Sequence, residues 1–143
     1  MQISALVIAR NEEINISKCL ESLKFADEIV VILDRSSDRT EEFSKIYTEK
    51  IFSGNWILEG DRRNFGITKC SSEWILEIDA GGSHKPKDII GFLKFMKDDY
   101  ACIFGSRFCK GGKLVNYNFI RYFFSKGGSI ISKLFFNINL KDT

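Results

Sequence analysis

Four short apolar runs in the first 80 residues predict buried β-strands. The runs over Ile3–Ala9 and Glu28–Leu33 are dense in aliphatic residues, as in strands that are covered on both faces. Lys50–Ser53 predicts a third, shorter strand, and Glu73–Ile78 predicts a fourth that ends at Asp79. Strands of this type occur mostly in parallel sheets packed by helices on both sides.

Helices are predicted between these strands. Apolar residues recur at helical spacing over residues 16–23, after a polar break at residues 10–13. Asp38 and Glu41 have the spacing of a capping box that opens a second helix. A third helix is predicted over Asp61–Cys70.

Similar signals continue beyond the glycine-rich loop Ala80–His84. Pro86 suits the first turn of a helix whose apolar stripe covers residues 89–96, and Ala101–Phe104 predicts another strand. Strands that alternate with helices predict right-handed β-α-β units and a mostly parallel α/β sheet. Because neither a repeat nor a linker is visible, we expect residues 1–143 to form one domain.

Charge is unevenly distributed along the chain. The net charge is +2, yet residues 105–143 hold seven Lys or Arg, one acid and eight of the aromatic residues. A basic, ring-rich segment suits a phosphate-bearing and partly apolar partner, either a membrane surface or a nucleic acid. The segment has no recognisable groove-reading or base-stacking motif, so we do not expect nucleic acid to be the partner.

The cysteine pattern and the hydropathy of the chain indicate its compartment. The four cysteines lack C-x-x-C spacing, so we expect reduced, mostly buried thiols rather than a metal or disulfide framework. No apolar run approaches the roughly 20 residues of a membrane span. The amino terminus does not have the pattern of a signal peptide. These features predict a cytoplasmic protein.

Three polar clusters fall at the carboxyl ends of predicted strands, at residues 11–12, 34–38 and 79–84. In open parallel sheets, ligands bind beyond those ends. Clustered carboxylates repel one another unless a cation or a hydrogen-bond donor lies between them. They can accept hydrogen bonds from a ribose or a base, or hold a divalent ion against a diphosphate. The clusters predict a nucleotide site, with helix capping as the alternative role for Asp38.

The segments around these clusters resemble the inverting glycosyltransferases of family 2, which have the GT-A fold. The likeness rests on residues 7–13 (VIARNEE), 26–40 (ADEIVVILDRSSDRT), 62–66 (RRNFG) and 74–80 (WILEIDA), in the family's order and spacing. It implies a Rossmann-like, mostly parallel GT-A sheet flanked by helices. It also implies transfer of a sugar from a GDP- or UDP-sugar donor.

The resemblance implies donor-binding roles for individual residues. Glu12 would hold the ribose and Asp34 the base, while Arg62–Asn64 would line the diphosphate side unless they form only a solvated helix face. Leu33 replaces the first of two acids common in the family, which leaves the base preference open. The implied nucleotide-sugar ligands are Ala9, Asn11, Glu12, Asp34, Ser36, Asp38, Arg63, Asp79 and Ala80.

The fourth strand of the family usually ends in Asp-x-Asp, which carries the divalent metal that neutralises the leaving diphosphate. Here the segment is Asp79-Ala80-Gly81, so the second acid is missing. We expect a weakened Mg²⁺ or Mn²⁺ site at Asp79 and Ser83. Replacement of the metal by basic residues and a catalytically dead site are the alternatives. His84, the only histidine, is expected to pack or cap.

Downstream segments resemble the branch that acts on polyprenyl or dolichyl phosphates. Residues 79–86, 103–108, 110–112 and 116–125 carry this likeness. It implies that Arg107, Arg121 and Ser125 grip the acceptor phosphate and that Asp79 and Arg107 are the catalytic residues.

The segment around Arg121 and Ser125 also has the pattern of an interfacial helix. These two residues are one helical turn apart, with large apolar residues on the other side. Such a helix can lie in a membrane interface, and ordinary core packing is the alternative.

The two halves of the chain therefore have different expected roles. Residues 1–84 would hold the nucleotide-sugar, and residues 85–143 would face the acceptor at the cytoplasmic face of a membrane, where a membrane protein is a further partner to consider. A lipid phosphate is already nucleophilic near neutral pH, so in-line attack with inversion requires no base. The branch normally continues beyond Thr143, so we expect a GT-A sheet that is truncated at its C-terminus.

Two other functions stay open at this point. A family 2 transferase that acts on a sugar hydroxyl in cell-surface polysaccharide assembly would have the same N-terminal segments, although that acceptor needs a base. Gly81 and the early end of the chain instead favour a degenerate nucleotide-sugar-binding subunit without activity.

Overall fold

The sheet is the part of the molecule that positions the site. The structure, a computed structural model, describes residues 2–81 together with residues 91, 93 and 94. Four strands form a parallel sheet in the order β3-β2-β1-β4. The elements are β1 (Ile3–Ala9), α1 (Ile16–Glu21), β2 (Glu28–Asp34), α2 (Thr40–Ser44), β3 (Ile51–Gly54), α3 (Glu59–Ile67) and β4 (Trp74–Asp79). The predicted parallel α/β architecture is confirmed.

The strand register brings the polar strand ends to one side of the sheet. Ile8 of β1 is opposite Asp79 of β4, and Asp34 of β2 is opposite Gly54 of β3. Neighbouring strands lie roughly 4.8 Å apart, so the ends of β2, β1 and β4 follow one another at that spacing. We call this side the carboxyl edge, and the side where the four strands begin the amino edge.

Both faces of β1 are buried because helices cover the sheet on two sides. Ala5 and Val7 pack in one core cluster with Leu20 of α1. Leu6 and Ile8 point the opposite way and belong to a second cluster, against which Phe65 of α3 packs. This alternation explains why β1 is apolar along almost its whole length.

Gly66 allows α3 to approach the sheet closely. A Cβ added there would lie 2.8 Å from Leu6 Cδ1 and 3.1 Å from Ile32 Cγ1. We therefore infer that the glycine of the RRNFG segment is needed for packing. A Gly66→Ala substitution is expected to cost about 1–3 kcal/mol through overpacking.

The bounds of two predicted elements require correction. Strand β3 is shifted by one residue, to Ile51–Gly54 from the predicted Lys50–Ser53. Helix α3 covers Glu59–Ile67 rather than Asp61–Cys70. Its first turn carries Glu59 and Asp61, and carboxylates near a helix N-terminus are stabilised by the exposed N–H groups there.

The predicted capping box forms only in part. Asp38 accepts a hydrogen bond from the Thr40 N–H at 3.1 Å, as a cap does. Glu41 does not return to Asp38, because its carboxylate pairs with Lys45 at 2.7 Å. Helix α2 accordingly begins at Thr40.

Several predictions fall beyond the described residues. Gly91 and Leu93 are helical, as expected for the helix that was predicted to follow Pro86. The predicted strand over residues 101–104 lies outside the described residues, as do Ser83, His84, Arg107, Arg121 and Ser125. The chain divides into two units, residues 1–95 and 96–143, and all described residues belong to the first. Within the described part, none of the helices is both long and apolar enough to cross a bilayer.

Candidate functional site

Two loops at the carboxyl edge have left-handed backbone positions. Asn11 follows β1 and Arg35 follows β2, and each has φ 53°. Asparagine tolerates this region, whereas a long side chain such as arginine is uncommon there. Backbone outliers of this kind often accompany functional sites.

The same two loops are cross-linked by hydrogen bonds. The Asn11 side-chain oxygen accepts the Ser37 N–H at 2.8 Å, and the Asn11 N–H donates to the Ser36 hydroxyl at 3.2 Å. The Glu12 N–H donates to the Thr40 hydroxyl at 2.8 Å. These bonds preorganise the loop that carries Glu12 against the loop that follows Asp34.

Asp38 takes part in this cross-link. Its carboxylate accepts the Glu13 N–H at 3.0 Å in addition to the Thr40 N–H. Burial opposes its ionisation, but the hydrogen bonds from Thr40 and Glu13 outweigh that effect and lower the pKa of Asp38. The described contacts give Asp38 a structural role, while its predicted contact with a nucleotide stays a prediction.

Asp34 is the most enclosed acid at the carboxyl edge, with a side chain that is 3% exposed. Its Oδ1 accepts from Arg35 Nε at 3.0 Å and from the Trp56 N–H at 3.3 Å. Its Oδ2 accepts from Arg35 Nη2 at 3.0 Å and from Arg62 Nη1 at 2.8 Å. The Arg35 hydrogen bond is the main cause that lowers the pKa of Asp34, so the group is a carboxylate near neutral pH.

The two neighbouring arginines of α3 have different surroundings. Arg62 is 19% exposed and contacts Asp34, whereas Arg63 is 49% exposed and pairs with Glu77 at 2.8 Å and with Glu59 at 2.8 Å. The structure therefore brings Arg62 to Asp34, while Arg63 pairs with acids of α3 and β4. The resemblance implied that both line the diphosphate side, and for Arg63 that role stays a prediction.

Glu12 and Asp79 approach one another at the place where the family's second acid is missing. A Cβ built on Gly81 would lie 3.4 Å from Glu12 Oε1 and 3.8 Å from Asp79 Oδ2. The Gly81 N–H also donates to Asp79 Oδ1 at 3.4 Å. The two carboxylates thus border the same small space, from the first loop and from the end of β4.

Cys19 of α1 lies near this pair of acids. Burial, followed by the negative charges of Asp79 and Glu12, raises the pKa of the Cys19 thiol to about 11. The thiol is therefore neutral near pH 7 and is not an activated nucleophile. Both described cysteines, Cys19 and Cys70, are free and partly buried.

Two predicted ligands can contribute only their backbone. Ala9 is 2% exposed and Ala80 is fully buried, so both methyl groups belong to the core below the edge. The Ala80 N–H already donates to the Ile8 carbonyl at 3.3 Å. The side chains that face the carboxyl edge are therefore those of Asn11, Glu12, Asp34, Ser36 and Asp79.

The described part contains no group of three or more acidic, histidine or cysteine side chains arranged to hold a metal. Two carboxylates can still supply part of the oxygen set that Mg²⁺ or Mn²⁺ prefers, with phosphate and water oxygens supplying the rest. The Glu12–Asp79 pair fits that requirement because its oxygens border a space that Gly81 leaves unfilled.

A separate open cleft of about 570 Å³ lies at the amino edge. Its lining includes Glu28, Lys50 and Ser71. Burial opposes the ionisation of Glu28, but hydrogen bonds from Lys50, Ser4 and Ser71 prevail and lower the pKa of Glu28 to about 2. This carboxylate links β2 to the residues before β3 and β4, so we interpret it as a structural group.

Comparison with known families places this geometry in context. The sequence profile described as "Glycosyl transferase family 2" matches residues 4–142. A dolichol-phosphate mannosyltransferase of Pyrococcus furiosus is 29% identical over 148 residues, covering 94% of this chain and 41% of that protein. The lipopolysaccharide core biosynthesis glycosyltransferase LpsC of Rhizobium meliloti is 31% identical over 85 residues, covering 56% of this chain and 32% of that protein.

Solved structures show the same fold. Glucosyl-3-phosphoglycerate synthase from Mycobacterium tuberculosis, in complex with Mn²⁺, UDP and glucosyl-3-phosphoglycerate, superposes with a TM-score of 0.50 at 22% identity. The match covers 55% of this chain and 33% of that one. The chain thus spans between about a quarter and a half of the length of the relatives it matches. The predicted GT-A-type α/β fold is confirmed.

Proposed function

The chain belongs to glycosyl transferase family 2, and we propose that it transfers a sugar from a nucleotide-diphosphate donor to a polyprenyl phosphate, with inversion at the anomeric carbon. The observation that carries the donor half of this proposal is the carboxyl edge itself. Asp34, Glu12 and Asp79 stand at the ends of three adjacent strands, and two of them face one unfilled space.

Donor binding follows from the contacts at this edge. The Asp34 carboxylate is an acceptor for the N–H groups of a nucleobase. Arg62 lies beside it and adds positive charge. Beyond β1 and β4, Glu12 and Asp79 would meet the ribose and diphosphate part of the donor. The structural neighbour from Mycobacterium tuberculosis contains UDP with Mn²⁺, which supports a nucleotide donor.

A divalent cation is included in the proposal. Glu12 and Asp79 would hold it together with diphosphate oxygens. When bound, it would supply positive charge that neutralises the leaving diphosphate. The predicted site paired Asp79 with Ser83, and Glu12 is the further oxygen donor that the geometry adds. One oxygen of Glu12 and one of Asp79 lie within 4 Å of the point where a Cβ on Gly81 would stand. Oxygen donors of this kind suit Mg²⁺ or Mn²⁺.

The acceptor half rests on sequence similarity. The likeness to the dolichol-phosphate mannosyltransferase extends over 94% of this chain and so includes most of residues 85–143. In the proposal, Arg107, Arg121 and Ser125 bind the acceptor phosphate at the cytoplasmic face of a membrane. The excess of Lys and Arg and the many aromatic residues after position 105 suit that surface.

Such an acceptor simplifies the chemistry. A phosphate monoester carries an anionic oxygen near neutral pH, and this oxygen can attack the anomeric carbon without transfer of a proton to a base. The bond to the diphosphate breaks on the opposite side, and positive groups near the diphosphate favour its departure. The Cys19 thiol is neutral because its pKa is raised to about 11, so we assign it no part in this step.

A second candidate function has its own support. LpsC, a lipopolysaccharide core glycosyltransferase, is similar over 56% of this chain. That likeness favours transfer to a sugar hydroxyl, a reaction for which a side chain has to accept the hydroxyl proton. Among the described acids, Asp79 is exposed and is the best placed for that role.

The test is a transfer assay with radiolabelled GDP- and UDP-sugars and a membrane lipid extract, with and without Mn²⁺. Label in the organic phase that is released by mild acid would support the polyprenyl phosphate acceptor. Label in water-soluble glycan would support the second candidate. Nucleotide binding without any transfer would contradict both and indicate a binding subunit.

A further inference from the structure

Asp34 is saturated with hydrogen-bond donors within the described structure. A carboxylate offers about four lone-pair positions. Arg35 fills two of them, and Trp56 and Arg62 fill one each. A nucleobase can therefore bond to Asp34 only after one of these donors leaves.

Arg35 is the donor that can leave most readily. The Trp56 donor is a backbone N–H next to the end of β3, and the Arg62 side chain is only 19% exposed. The Arg35 side chain is 41% exposed, so its guanidinium can move into water. The left-handed backbone at Arg35, with φ 53°, directs its side chain back over the preceding residue.

We propose that Arg35 occupies the nucleobase position on Asp34 and competes with the donor nucleotide for this carboxylate. Its guanidinium is a planar group that presents two parallel N–H donors, as does the pairing edge of guanine. This inference rests on the proposed function, in which Asp34 is the base ligand. It makes Arg35 a residue that sets nucleotide affinity.

The fork geometry leads to a preference among bases. When Arg35 leaves, it frees one lone-pair position on each oxygen of Asp34. Guanine carries two adjacent N–H donors on its pairing edge, and uracil carries one. Guanine therefore replaces the lost bonds one for one, whereas uracil leaves one oxygen for water. GDP is therefore expected to bind more tightly than UDP, and the gain on removing Arg35 is expected to be the same factor for both nucleotides.

Because Arg35 competes for Asp34, the apparent nucleotide affinity equals the intrinsic affinity multiplied by the fraction of molecules in which Asp34 is free. An ion pair with one partly exposed partner is worth up to about 1 kcal/mol, so removal of Arg35 is expected to tighten nucleotide binding by roughly fivefold.

The proposed experiment measures UDP, GDP and inorganic pyrophosphate binding by calorimetry at saturating Mn²⁺. It compares the wild-type chain with Arg35→Ala, Arg39→Ala and Asp34→Asn.

Arg39→Ala is the matched control. Arg39 lies in the same loop and pairs with Glu42 at 2.8 Å, with both side chains 62% exposed. The Arg39→Ala substitution removes one positive charge from this loop, as Arg35→Ala does, but leaves the contacts of Asp34 unchanged. A tighter UDP or GDP complex for Arg35→Ala than for Arg39→Ala, with equal effects of the two on pyrophosphate, would support the proposal. High salt should reduce the gain, because it weakens the Arg35–Asp34 pair.

Unchanged or weaker nucleotide binding by Arg35→Ala, relative to Arg39→Ala, would overturn the proposal if Asp34→Asn still weakens binding. A different result would count against the proposed function itself. If UDP and GDP bind to none of the proteins, or if Asp34→Asn leaves their affinity unchanged, Asp34 is not a base ligand and the inference about Arg35 is wrong with it.

Discussion

The two edges of the sheet each enclose one carboxylate, but they hold it in different ways. At the amino edge, Glu28 is 9% exposed and receives bonds from Lys50, Ser4 and Ser71. At the carboxyl edge, Asp34 is 3% exposed and receives bonds from two arginines and a backbone N–H. Both acids have a lowered pKa.

Burial and a lowered pKa therefore do not separate a ligand site from a structural link. The difference lies in the partners and the neighbours. Glu28 connects segments far apart in the sequence, and its acidic charge is balanced locally by Lys50. Asp34 ends the strand next to β1, and the carboxylates of Glu12 and Asp79 border one space beyond β1 and β4. An excess of acids around a replaceable donor is what distinguishes the carboxyl edge.

The largest expected effect is at the carboxyl edge. Asp79→Asn should reduce sugar transfer by about 100-fold, because it removes one of two carboxylates near the diphosphate. It should also weaken UDP binding in Mn²⁺. Asp79 is exposed, so the free energy of unfolding should change by less than about 0.5 kcal/mol. Calorimetry with UDP and urea unfolding would check both, and an unchanged UDP affinity would remove Asp79 from the site.

The reverse result is expected at the amino edge. Glu28→Gln should lower the free energy of unfolding by about 2 kcal/mol, because charge-assisted hydrogen bonds to Lys50 and Ser71 are lost. Nucleotide affinity should stay unchanged. Urea unfolding and UDP titration would measure the two quantities. Glu49→Gln, an exposed acid at the same edge, is the control and should have little effect. A loss of UDP affinity in Glu28→Gln would contradict the structural interpretation of this edge.

How far the sequence predicted these features depends on the kind of feature. Strands β1 and β2 were predicted to within one residue, because burial on both faces produces dense apolar runs. The ends of α3 were wrong by two or three residues, because its first-turn acids carry no apolar signal and no glycine or proline directly after Ile67 marks its end. The convergence of Glu12, Asp34 and Asp79 followed from parallel topology, since such strands end on one side.

Contacts set by side-chain and loop conformation could not be predicted from the pattern. Sequence spacing does not show that Arg62 rather than Arg63 meets Asp34, because both lie on consecutive positions of one helix. The return of Arg35 onto Asp34 depends on a left-handed backbone at a non-glycine residue. The approach of Glu12 to Gly81 depends on the loop after β1. The ligand roles of all these residues stay predictions.

The pH dependence of stability sharpens the contrast between the edges. The pKa of Glu28 is about 2 in the folded chain, below its ordinary value of 4.5. Its contribution is therefore fully present above pH 4.5 and is lost as the pH falls toward 2. Lys50 is exposed, so solvent screens its pair with Glu28. We therefore expect the free energy of unfolding to fall by roughly 1 kcal/mol more in the wild type than in Glu28→Gln between pH 5 and pH 3. Parallel urea titrations would measure this difference, and equal acid slopes would contradict the assignment.

The smallest expected effect is a coupling at the carboxyl edge between Glu12 and a restored second acid. If Glu12 serves in place of the missing carboxylate, Glu12→Gln should weaken Mn²⁺ binding in the presence of UDP by about tenfold in the wild type but only about threefold in Gly81→Asp. The new carboxylate would begin 3.4 Å from Glu12 Oε1 and would share the cation with Asp79. Electron paramagnetic resonance titration of Mn²⁺ against the four proteins of this cycle measures the coupling directly. Because all four keep Asp34, nucleotide binding without Mn²⁺ serves as the internal control. Equal losses in both backgrounds would show that Glu12 and position 81 act independently, and would leave Asp79 as the only acid of the described residues assigned to the metal.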